Sequence, residues 1–67
     1  MYPNLRAEMA RHKITLTQLA DVLGVRAATM SAKNNGQSPF SLDECFAIKK
    51  ALNTDLSLEE LFEKEEI

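Results

Sequence analysis

The chain has 67 residues, 45% of them hydrophobic and 27% charged, with a formal net charge of -2 and one cysteine, Cys45. Such a length holds a single small domain with a thin core, and it leaves few side chains to wall a substrate pocket of several hundred cubic ångströms, which disfavours an enzyme before any motif is read. The composition suits a folded chain, no apolar run reaches the roughly 20 residues that span a bilayer, and a lone cysteine cannot close an internal disulfide, in keeping with a reducing compartment.

The opening Met-Tyr-Pro-Asn-Leu-Arg lacks the basic stretch and apolar block of a secretory signal, so a cytoplasmic location is expected. Asn4 is placed to cap a first helix over Leu5 to His12, with Leu5, Met9 and Ala10 along one face. His12, the only histidine, falls in the last turn, where the helix dipole favours a cation. With no second His or Cys nearby in sequence, it reads as a helix-end residue and not as a metal ligand or catalytic base. Thr15 and Gln18 have the spacing of a capping box, opening a second helix in which Leu16, Leu19, Ala20 and Leu23 recur at intervals of three and four. Gly24 ends that helix, because a residue without Cβ fits the left-handed turn that follows the last helical residue. A third helix, about Arg26 to Asn34, is implied by Ala27, Ala28, Met30, Ala32 and Lys33, and Asn35-Gly36 stops it.

Ser38-Pro39 breaks the chain, and Ser41 with Glu44 forms a second capping box. Leu42, Cys45, Phe46, Ile48, Lys49 and Leu52 continue as a fourth amphipathic helix that Asn53 stops, with Cys45 read as a small core residue between Leu42 and Ile48. Ser57 with Glu60 repeats the device for a last helix presenting Leu58, Leu61 and Phe62, followed by an acidic tail at 63–67. No run alternates apolar and polar residues between hairpin turn signals. The predicted architecture is therefore all-α: a compact five-helix bundle in one domain, 1–67. Phe40, Leu56, Leu58, Phe62 and Ile67 are more apolar surface than five short helices obviously bury; part of the set is assigned to the core and the remainder is available for self-association.

Charge is unevenly divided. Residues 1–36 carry Arg6, Arg11, Lys13, Arg26 and Lys33 against Glu8 and Asp21, whereas residues 37–67 carry three lysines against eight carboxylates. A basic first half suits a polyanion, and it equally suits an ordinary solvated surface with an acidic tail. The carboxylates of the second half have capping or solvation roles and form no acid/base pair.

The most informative spacing is Leu19-Ala20, Leu23-Gly24-Val25 and Met30, then Asn35-Gly36. Two helices crossing steeply through a short turn need a small residue where the backbones approach, a glycine in the turn, and apolar residues that lock the pair. Such a pair holds its second helix out from the body, where it can enter a DNA major groove. Through the string TLTQLADVLGVRAATMSAKNNG, and the following SPFSLDECFAIKKAL, the chain resembles the Cro/repressor-type (XRE-like, lambda-repressor-like) helix-turn-helix family over Leu5 to Phe62, and in particular its small phage and prophage members. The resemblance implies a five-helix bundle, operator binding as a homodimer on double-stranded DNA, and a role in transcriptional control. It places base contacts on Arg26, Ala27, Ala28, Ser31 and Ala32, and flanking phosphate contacts on Thr17, Gln18, Lys33, Asn34 and Asn35. No cofactor, metal, small-molecule ligand or membrane partner is expected.

The chain departs from the family pattern on the reading helix. Ala27, Ala28 and Ala32 stand where members usually carry Gln, Arg, Ser or Asn, and alanine offers only methyl contact with thymine. Arg26 occupies a place where a capping Ser or Thr is common, and Asn34 one where an apolar residue is expected. Arg26 is read as a guanine contact in preference to a solvated charge, Ser31 as either a base contact or an exposed hydroxyl, and Gln18 as both cap and phosphate contact. The competing reading, from the alanines and the net negative charge, is a protein-interaction module on the same scaffold that has lost DNA readout.

Overall fold

The computed structural model describes residues 2–65. Five helices follow in order: α1 Pro3–His12, α2 Leu16–Leu23, α3 Ala27–Asn34, α4 Leu42–Leu52 and α5 Leu58–Leu61, with no strand among the described residues. Three helices open with the expected reciprocal caps. Thr15 accepts from the Gln18 amide while the Gln18 side chain accepts from the Thr15 amide, and Ser41 with Glu44 and Ser57 with Glu60 do the same. Each box satisfies two of the four amides that a helix start leaves without partners.

The start of α1 differs from the expectation. The helix begins at Pro3, not Leu5, and Asn4 is not its cap; Tyr2 holds the cap position without a side-chain bond. Proline at the first helical position loses nothing, because its missing N–H would have had no partner there. Asn4 instead donates from Nδ2 to the Glu60 carbonyl at 2.7 Å, clasping α1 to α5. Ala10 is exposed, and the third inward residue of α1 is Glu8.

Leu5, Leu19, Met30, Ile48, Leu52 and Leu61 are fully buried, so every helix contributes to one core. Tyr2 closes it from the N-terminus, stacking with Phe40 and Phe62 at centroid distances of 5.4 and 5.8 Å, while those two rings lie 5.2 Å apart. These edge-on and tilted geometries suit the ring quadrupoles. Phe40, Leu56 and Phe62 thus pack against the core and Leu58 is half-buried, whereas Ile67 lies outside the described residues.

The surplus apolar surface lies elsewhere, on Val22, Leu42 and Phe46. Six residues cannot share one stripe of α4, since a helix face is about 100° wide. Ile48 and Leu52 take the buried stripe with Cys45 half-buried beside them, and Leu42 and Phe46 turn outward at 64% and 55% exposure, so Cys45 does not sit between two inward neighbours as expected.

A polar clasp with no local sequence signal joins α1 to the turn after α4. Glu8 and Thr54 are both buried, and the Thr54 hydroxyl donates to the Glu8 carboxylate. Arg11 Nη1 lies 3.4 Å from Glu8 Oε2 and His12 Nε2 lies 3.7 Å from Glu8 Oε1. The Thr54 hydrogen bond, with Arg11 and His12 behind it, holds the Glu8 carboxyl below its ordinary range against the opposing effect of burial. Lys49 stitches the same turn by donating to the carbonyls of Thr54 and Leu56.

Candidate nucleic-acid interface

The segment Thr15 to Asn35 forms a helix-turn-helix. Gly24 adopts φ 70°, its amide donates to the Asp21 carbonyl, and the Val25 amide reaches back to Ala20 at 3.0 Å. This pair of bonds reverses the chain within three residues. The same closure ends α3, where Gly36 has φ 83° and Gln37 donates to Ala32 at 2.9 Å. Both glycines of the chain therefore bracket α3. Leu19, Ala20 and Met30 are buried at the crossing, and the backbone of α3 packs closely against α2, with a side-chain tether from Lys33 to Glu44 of α4 at its far end. The arrangement leaves the first turn of α3, Ala27 to Thr29, exposed.

With Met30 inward, residues two before and two after it lie roughly opposite, at 100° per residue. The outward line is thus Ala28 and Ala32, flanked by Thr29 and Ser31. Arg26, Ala27, Ala28 and Thr29 are exposed, Ser31 and Ala32 half-buried. Thr29, which the sequence pattern did not single out, stands exposed beside Met30, the one buried residue of α3. No side chain caps α3, so Arg26 is not bound to its own helix start and the first-turn amides have no side-chain acceptor.

Thr17 and Gln18 sit exposed in the first turn of α2. Gln18 Oε1 accepts from the Thr15 amide at 2.8 Å, leaving its Nε2 amide without an intramolecular partner among the described residues. Asn35 is exposed and Asn34 half-buried at the far end of α3. Lys33 turns away from the outward line. Its Nζ donates to the Pro39 carbonyl at 3.0 Å and to Glu44 Oε1 at 3.1 Å, and it lies 6.0 Å from the centre of the Phe40 ring. Glu44 is held below its ordinary range first by the Ser41 amide and then by Lys33. A single carboxylate thereby caps α4 and tethers the end of α3. Burial, with Glu44 adjacent, pushes the Cys45 thiol up, which disfavours the reactive thiolate.

Among the described residues no helix is long and apolar enough to cross a membrane, and no three His, Cys, Asp or Glu side chains come together as metal ligands. Comparison with curated proteins and with solved structures returned no match. The family model for the Cro/C1-type HTH DNA-binding domain matches residues 4–66, nearly the whole chain and all five helices. With the glycine-closed turn, the buried Leu19, Ala20 and Met30 and the outstanding α3, this match establishes that the chain belongs to the Cro/C1-type helix-turn-helix DNA-binding domain family.

Proposed function

We propose that the protein is a cytoplasmic, sequence-specific transcriptional regulator, a repressor of phage or prophage type, that binds double-stranded DNA as a homodimer and performs no catalysis. The observation that carries this reading is the seating of α3, packed on α2 and tethered at its far end by Lys33, with Arg26 to Thr29 exposed at its leading end. In the bound state α3 lies in the major groove with Arg26, Ala27, Ala28, Ser31 and Ala32 toward base edges, and Thr29 joins them. Thr17 and the free amide of Gln18 meet the phosphates, as Asn34 and Asn35 do at the other end. Lys33 serves mainly inside the chain, since its ammonium is already occupied. A two-fold dimer places its two reading helices about 34–36 Å apart, one turn of DNA.

Selection from a random-sequence duplex library at low salt, followed by binding to the enriched duplex at rising salt, tests this. The expected result is a palindromic site whose affinity falls steeply with salt. A second reading draws on the exposed Leu42 and Phe46 of α4: a protein-interaction module without DNA binding. Absence of any enriched duplex, with no binding at any salt, favours that module and overturns the regulator.

A further inference from the structure

Resting on the reading that α3 enters the major groove, we propose that this protein selects its site chiefly by the C5-methyl groups of pyrimidines, so that its ligand is a duplex with clustered thymines facing α3. The outward line of α3 offers little else. Ala28 and Ala32 carry only methyl groups, and Ala27 adds a third at the leading end. Thr29 presents a methyl beside its hydroxyl, and alanine and threonine methyls are the groups that pack against thymine methyl in the major groove. The hydroxyls of Thr29 and Ser31 bond to donors and acceptors alike, so they discriminate poorly among base pairs. The remaining polar reader is Arg26, one guanidinium at the helix start. Lys33, the other cation of α3, is taken up by Glu44 and the Pro39 carbonyl.

The geometry also sets how the methyls must be spaced. Ala28 and Ala32 are four residues apart, which puts their Cβ atoms about 6 Å from one another along the groove. Base pairs rise about 3.4 Å per step, so the two alanines cover methyls one to two steps apart. Each half-site should therefore carry a short cluster of thymines, on either strand, next to one guanine for Arg26. Since the recognised group is the methyl and not the base, 5-methylcytosine should serve in place of thymine better than cytosine does.

The test starts from the duplex enriched in the random-sequence selection. Each thymine of the half-site is replaced in turn by deoxyuridine, which removes the methyl and leaves the hydrogen-bonding edge intact, and affinities are measured for the parent protein and for Ala28→Gly. Loss of about fourfold per methyl at two or three clustered thymines is expected from the worth of one buried methyl group. At the thymine facing Ala28, the deoxyuridine penalty should vanish in Ala28→Gly, which deletes the side-chain methyl, and 5-methylcytosine should restore binding that cytosine loses. Deoxyuridine substitutions that all stay within about twofold overturn the methyl reading while leaving DNA binding in place. Failure to enrich any duplex overturns the regulator reading itself, and this inference with it.

Discussion

The turn at Gly24 decides where α3 points, and its substitution gives a prediction with a sign and a size. At φ 70° an L-residue is strained, yet a Cβ built there meets nothing within 4 Å. The penalty of Gly24→Ala is therefore conformational alone, about 1–2 kcal/mol for a left-handed residue. A domain of 67 residues has about 3–10 kcal/mol of stability in all, at roughly 0.05–0.15 kcal/mol per residue, so the variant still folds. Its melting temperature should drop by about 4–16 °C, at about 4–8 °C per kcal/mol for a domain of this size. Gly24→Val should fall further, because a branched Cβ tolerates this backbone least, and Gly24→Asn should fall least, since Asn visits it readily. The chain contains its own controls: Lys13 at φ 56° and Asn53 at φ 51° occupy the same region. Lys13→Gly should relieve strain and raise the melting temperature. Thermal melts followed by far-ultraviolet circular dichroism measure the whole series. The conformational argument is refuted if Gly24→Ala melts at or above the parent, or if Gly24→Asn is as poor as Gly24→Val.

Glu8→Gln tests the buried clasp. A carboxylate whose pKa is depressed in the folded state adds stability at pH above its ordinary value, near 4.5, and loses it as pH falls through the folded pKa. The variant should melt lower than the parent at neutral pH and show a flatter acid-side decline; an unchanged pH profile counts against the clasp. Lys33→Gln should lower stability by about 1.5–3 kcal/mol, the usual worth of a hydrogen bond to a charged group, yet leave the salt dependence of DNA binding unaltered. A slope reduced by about one unit would show that Lys33 meets phosphate. Arg26→Ala should weaken specific binding more than nonspecific binding in competition assays, and equal losses would reduce Arg26 to a phosphate contact. Met30→Ala should cost about 2–5 kcal/mol as a core truncation, enough to populate the unfolded state in a denaturant titration.

Local signals were the legible part of this fold. Thr15, Ser41 and Ser57 with their partners three residues on, and Gly24 and Asn53 at helix ends, act through bonds to near neighbours, so their roles can be read in place. What failed was what depends on distant partners. Asn4 has the chemistry of a cap, but Glu60 takes its amide. Glu8 looks like a solvated charge until Thr54 arrives beside it from 46 residues away. The pairing of Lys33 with Glu44 was equally illegible, because nothing in its own helix announces a partner on α4. On α4, the periodicity allowed two overlapping apolar stripes, and only the packing of the other helices selected Ile48 and Leu52 over Leu42 and Phe46.

If α3 is the face that meets DNA, backbone amide chemical shifts followed by nuclear magnetic resonance while a duplex is added should reveal it. The largest changes should then fall on Thr17, Gln18 and the segment from Arg26 to Ala32. Changes centred instead on Leu42, Phe46 and Lys50, with α3 silent, would contradict it.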